Sequence, residues 1–91
     1  MAEVYVGKKP FMNYVTAVVM QFTQGANEVV IKARGRNISR AVDVAEMVRK
    51  KFLVGQVDVA EVKIDSDEVV DPSTGKKKRV STIEIKLVKK Q

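Results

Sequence analysis

The residues best equipped for chemistry in this chain are cations set where the backbone must turn. Lys32, Arg34 and Arg36 fall within the five-residue stretch Lys32-Ala33-Arg34-Gly35-Arg36. The apolar run Val29-Val30-Ile31 precedes them as a strand would, and a helical pattern opens near Asn37–Ser39. A glycine between two arginines allows a backbone conformation that a side chain resists. The unpaired N–H groups that begin a helix add to the positive field. Guanidinium forks match phosphate oxygens two at a time. This corner is suited to holding an anion, and a phosphate before others.

Two more basic clusters accompany it. Lys8 and Lys9 stand immediately before Pro10 as two point charges able to grip a phosphate, with Asn13 and Tyr14 one helical turn further on. Lys76-Lys77-Lys78-Arg79 follows the turn sequence Asp71-Pro72-Ser73-Thr74-Gly75. A basic run in a loop is commonly just solvated. Three such clusters in a chain of net charge +6 point instead to a polyanionic partner, either nucleic acid or an anionic membrane.

Other chemistries lack their residues. There is no histidine, the commonest general base, and no cysteine for a disulfide, a thiolate or a zinc site. Asp65, Asp67 and Asp71 begin like a calcium loop. Val70 then stands where the glycine belongs and Lys76 where the closing glutamate belongs. Neither Gly35-Arg36 nor Gly75-Lys76 matches a nucleotide-binding loop. The reading assigns no catalytic residue, no metal and no cofactor. The most apolar segment, Phe11–Phe22, is too short to span a bilayer, and MAEVYVG lacks the features of a signal peptide. A soluble intracellular protein is expected, with no membrane partner.

The elements that position these cations follow from hydrophobic spacing. Glu3–Gly7 alternates as a short strand. From Phe11, apolar residues at 11, 14, 15, 18 and 22 mark one face of a helix ending at Gln24-Gly25. No charge occurs between Lys9 and Glu28, which predicts a helix covered on more than one side. A second helix, about Ile38 to Phe52, is expected to turn Ile38, Ala41, Val42, Ala45, Val48 and Phe52 inward. Arg40, Asp43, Glu46, Arg49 and Lys50 would then face outward. From Val57 the period becomes two, with a parity change near Ala60-Glu61 that predicts a bulge. The last strand is Val80–Val88. The order is β-α-β-α-β-β in one domain, residues 1–91.

Length decides how the last two strands are placed. Fifteen extended residues from Val57 to Asp71 reach about 50 Å, whereas a compact domain of this size has a radius of gyration of about 12 Å. The hairpin must project as an arm, with Lys76–Arg79 near its tip. Asp65, Asp67 and Asp71 share a parity and are expected opposite the lysine run as cross-strand pairs. An uncharged helix and a valine-rich hairpin in so small a chain also predict apolar surface shared with a second copy.

Several strings, taken together and in order, resemble the Alba family of archaeal chromatin proteins. They are Val6-Gly7-Lys8-Lys9-Pro10, Met12-Asn13-Tyr14, Ile31-Lys32-Ala33-Arg34-Gly35-Arg36, Ile38-Ser39-x-Ala41-Val42-Asp43 and Val80-Ser81-Thr82-Ile83-Glu84-Ile85. The resemblance implies an α+β, two-layer sandwich with a four-stranded mixed sheet and two helices, similar to the C-terminal domain of a bacterial translation initiation factor. It implies a homodimer that binds double-stranded DNA with little sequence preference, and often RNA. The arms would approach the minor groove while the body lies across the backbone. The first lysine of the family's Gly-Lys-Lys-Pro motif is an acetylation target in some members, which carries onto Lys8 a possible acetylase and deacetylase. Phe52, with Leu53, falls where some relatives make contacts between dimers; Val54 follows, where members often carry Pro.

The expected function is therefore architectural: compacting or coating the chromosome in the cytoplasm, at the nucleoid, through phosphate contacts from Lys8, Lys9, Asn13, Tyr14, Lys32, Arg34, Arg36, Arg40 and Lys76–Arg79. The alternative is an RNA-binding protein of ribonucleoprotein assembly or RNA protection. The chain lacks the paired aromatics of a single-strand stacking platform.

Overall fold

Alternating apolar residues in the strands and a 3.6-residue apolar period in the helices sort the chain into a sheet and a helical layer. The computed structural model describes residues 2–90. The elements are β1 (Ala2–Tyr5), α1 (Phe11–Thr23), β2 (Glu28–Arg34), α2 (Ile38–Met47), β3 (Val57–Val70) and β4 (Lys77–Lys89). The strands lie in the order β1-β2-β4-β3. β1 runs parallel to β2, and the other pairs are antiparallel. The fold is the expected α+β arrangement with a mixed sheet.

The core lies between one face of the sheet and the two helices. Val4, Val29, Ile31, Ala33, Ile83, Ile85 and Leu87 meet Tyr14, Val15, Val18 and Phe22 of α1 and Ala41, Val44 and Ala45 of α2. The α1 stripe is the one its spacing predicts. Pro10 precedes the helix as its cap (φ −53°, ψ 139°), where a residue without an N–H loses nothing. Gly25 takes a φ of 106°, and the Ala26 N–H donates to the Gln21 carbonyl at 3.0 Å to close the last turn. Beside that stripe Phe11, Ala17 and Val19 are half-buried against the core, while Met12, Thr16 and Met20 are exposed.

The second helix departs from expectation at its end and by one position along its face. The buried stripe is Ala41, Val44, Ala45 and Val48, so Val44 replaces Val42, which is exposed. Phe52 is 48% exposed rather than inward. The physical cause is a wider turn over Val48–Phe52, closed by the Leu53 N–H on the Val48 carbonyl at 2.8 Å. A bond across five residues adds a residue to that turn and swings Phe52 off the 3.6-residue stripe.

The bulge falls where parity requires it, as a register shift between Val59 and Glu61. Beyond it β3 is almost wholly exposed. β2 ends at Arg34, opposite Thr82, so β3 and β4 continue past that point as a two-stranded arm. The molecule measures 49 × 25 × 20 Å with a radius of gyration of 14.5 Å, as a projecting arm demands. The lysine run is itself largely strand, since β4 begins at Lys77. The acids do not face it in register. Lys77, Lys78 and Arg79 pair with Val70, Val69 and Glu68, while Asp65 and Asp67 stand opposite Thr82 and Val80. The turn imposes this offset: the Asp71 N–H donates to the Lys76 carbonyl at 2.9 Å, which leaves Asp71 inside the loop.

Candidate nucleic-acid interface

Strand direction gathers the basic segments at one end of the molecule. β1 and β2 are parallel, so the Lys8-Lys9 loop that leaves β1 and the Arg34-Gly35-Arg36 corner that leaves β2 emerge on the same side. The arm passes the end of β2 and projects from this side too. At the corner, Gly35 adopts φ 56°, the left-handed conformation expected of it. A single turn of tighter helix, Gly35–Asn37, leads directly into α2. The corner packs against the root of the arm: a Cβ on Gly35 would lie 3.8 Å from Cγ1 of Val80.

The cations differ in how free they are. Lys8, Lys9, Arg36, Lys76, Lys78 and Arg79 are exposed and, among the described residues, have no acidic partner within ion-pair distance. Lys77 approaches Glu68 at 3.9 Å. Strand alternation divides the run, sending Lys77 and Arg79 to one face of the arm and Lys78 to the other.

Lys32 and Arg34 are already engaged. Lys32 Nζ lies 2.8 Å from Glu3 and 3.9 Å from Glu84. The hydrogen bond to Glu3 holds the lysine's pKa above its usual value, against the opposing pull of burial. Arg34 reaches across to Asp67 of the arm at 3.3 Å. Asp67 is thus a partner of the corner, a role its strand parity gave no means of anticipating. Asp65 accepts a hydrogen bond from the Ser66 N–H and Asp71 from Ser73, so the three acids turn to separate local partners.

Asn13 is exposed on the first turn of α1, beside the Lys8-Lys9 loop. Tyr14 is buried, and its hydroxyl accepts a hydrogen bond from the Lys9 N–H at 2.9 Å. Arg40 faces this loop rather than solvent: Nη2 donates to the Lys9 carbonyl at 2.8 Å. Asp67, expected opposite the lysine run, instead serves Arg34. Tyr5, to which the sequence assigned no role at this end, is 63% exposed and lines a groove with Lys32, Arg34, Asp65, Asp67 and Glu84.

Comparison with known proteins decides the lineage. The family model described as Alba matches residues 2–66. The chain belongs to the Alba family. The protein named DNA/RNA-binding protein Alba from Nanoarchaeum equitans is 80% identical over 90 residues, covering 99% of this chain and 100% of its own. DNA/RNA-binding protein Alba 1 from Archaeoglobus fulgidus is 62% identical over 87 residues, covering 96% and 94%. Alba from Thermoplasma volcanium shares the fold with a TM-score of 0.86 at 48% identity, over 94% of this chain and 98% of that one. ALBA1 from Trypanosoma brucei superposes with a TM-score of 0.75 at 26% identity, over 96% and 68%. The archaeal relatives carry names for nucleic-acid binding, not for a reaction. The span matched by the family model includes the Lys8-Lys9 loop, the Arg34–Arg36 corner and the first half of the arm.

Phe52 and Leu53 lie away from this end, on the wide turn after α2. Phe52 is exposed and Leu53 half-buried. No helix among the described residues is long and apolar enough to cross a membrane.

Proposed function

We propose that this Alba-family chain is an architectural protein that binds double-stranded DNA with little sequence preference, as a homodimer, coating or compacting the chromosome. The observation that carries the reading is the gathering of the Lys8-Lys9 loop, the Arg34–Arg36 corner and a cationic arm at one end of the molecule. Lysines and arginines there neutralise phosphates and release counterions, which gives affinity without base readout. A narrow two-stranded arm with cations on both faces suits a groove flanked by phosphates. The names of the archaeal relatives, which give both DNA and RNA, support RNA binding as the second reading.

The dimer reading is supported by apolar surface that this chain leaves uncovered. On the helix-side face of the arm root, Ile64 is 80% exposed and Val62 is exposed beside it, next to a groove lined by Ile38, Ser81 and Ile83. A second copy covering that strip would double the basic end and set two arms on one duplex. Lys8 is exposed within that end, and its acetylation would remove one cation from each loop. The proposed location is the cytoplasmic nucleoid.

The test is fluorescence anisotropy with labelled duplex DNA and duplex RNA across a salt series. With about 8 phosphates neutralised per dimer, the log–log slope is expected near −7, and one shallower than about −3 rejects the reading. Changing Lys76, Lys77, Lys78 and Arg79 together to Ala should flatten the slope. An unchanged slope would place the grip on the body instead, and binding to RNA alone would select the second reading.

A further inference from the structure

Past Val6, whose N–H still bonds the Lys32 carbonyl at 2.8 Å, the loop between β1 and α1 carries two cations on a backbone outside the sheet ladder. Its carbonyls still need donors, and α2 supplies one residue that serves two of them. Arg40 Nη2 donates to the Lys9 carbonyl at 2.8 Å, and Nη1 makes a longer, weaker approach of 3.5 Å to the Gly7 carbonyl. The same guanidinium lies over the Tyr14 ring, 5.9 Å from its centroid. The Tyr14 hydroxyl in turn accepts the Lys9 N–H at 2.9 Å. Lys9 is therefore tied on both sides of its α-carbon, by N–H to Tyr14 and by C=O to Arg40, while the Lys8 and Lys9 side chains remain exposed.

We propose that Arg40 is a positioning residue for nucleic-acid binding: a clasp that presents Lys8 and Lys9 to phosphate, not itself a primary phosphate contact. The assignment rests on the binding reading above and reaches past it to how the loop is ordered. Three features carry it. The fork of Arg40 is spent on main-chain carbonyls 31 and 33 residues away in sequence. No carboxylate pairs with it among the described residues, so its donors serve the loop alone. Its guanidinium lies over a buried aromatic ring while its rigid fork aims two donors at two carbonyls, a geometry that a single ammonium does not reproduce.

Pre-ordering matters because a flexible loop must lose backbone freedom when it engages phosphate, and that loss comes out of the affinity. A clasp already made in the free protein removes that cost. Arg40→Lys keeps the charge and loses the fork, so it separates the two roles. The cycle pairs Arg40→Lys with Lys8→Ala/Lys9→Ala in duplex-DNA titrations, and hydrogen exchange at the Lys9 amide is followed in the unliganded protein. Tyr14→Phe, which removes only the acceptor for that amide, is the second variant.

Arg40→Lys is expected to weaken binding by about fivefold in the wild-type background and by less than about twofold once Lys8 and Lys9 are gone. The Lys9 amide should exchange several-fold faster in both Arg40→Lys and Tyr14→Phe. Equal losses in the two backgrounds, or an Arg40→Lys variant that binds like wild type, overturn the assignment. If the wild type binds no duplex, the function proposed above fails by itself. An Arg40→Lys protein with unchanged Lys9 exchange refutes the clasp whatever the duplex data show.

Discussion

Single residues at the basic end divide by what already occupies them. Arg34 spends its charge on Asp67 at 3.3 Å across a half-exposed gap, and Lys32 is shared between Glu3 and Glu84. An exposed pair of this kind contributes about 0–1 kcal/mol. A phosphate can therefore displace Asp67 without a large penalty, but the aspartate remains near as a repelling charge. Asp67→Asn should raise affinity for duplex DNA by about two- to fivefold at low salt, with the gain fading as salt screens the site. Anisotropy titrations at two salt concentrations check this; unchanged affinity at low salt would mean that Asp67 does not compete with phosphate. Lys8, Lys9, Arg36, Lys76, Lys78 and Arg79 have no such competitor among the described residues.

At the scale of the element, the arm is ordered by its register and its turn. Asp71 accepts hydrogen bonds from the Ser73 hydroxyl at 2.7 Å and the Ser73 N–H at 2.9 Å, and these lower its pKa below the usual 3.8. A depressed carboxylate stabilises the turn above its unfolded pKa, and that contribution is lost as pH falls through the folded value. The Ser73 amide signal should therefore titrate below pH 3.8, and Asp71→Asn should abolish that response while core amides stay unchanged. A Ser73 amide indifferent to acid would remove Asp71 from the turn. Much at this scale was legible in the chain itself. The apolar stripe of α1, the bulge beside Glu61 and the glycine at the corner each follow from a local period or a backbone preference. The end of α2 was not, because nothing in its spacing announces a five-residue hydrogen bond that turns Phe52 outward.

For the whole molecule, an elongated body leaves apolar surface that a compact one would hide. Ile64 sits on the helix side of the sheet, past the bulge, where β3 runs on beyond its buried start at Val57 and leaves the groove beside Ile38 open. Ile64→Asp is expected to leave the fold intact, since the side chain is already 80% exposed, and to break the proposed dimer into monomers in sedimentation equilibrium. Duplex affinity should fall with it, as two linked basic ends become one. A variant that sediments like wild type would reject Ile64 as the contact of the proposed dimer.

Composition and periodicity by themselves determined the element order, the excess of positive charge, the absence of histidine and cysteine chemistry, and an arm too long for the body. Each is a property of local spacing or of counting, and needs no knowledge of which strands are neighbours. Tertiary structure alone decided the rest. Parallel pairing of β1 with β2 brings the Lys8-Lys9 loop and the Arg34–Arg36 corner to one end. The β2–β4 register carries the arm past the same end and within reach of Arg34. The packing of α2 against α1 turns Arg40 from an outward cation into the clasp of a loop more than thirty residues away. Contacts between such distant positions depend on strand order, direction and register, which no local pattern of side chains encodes.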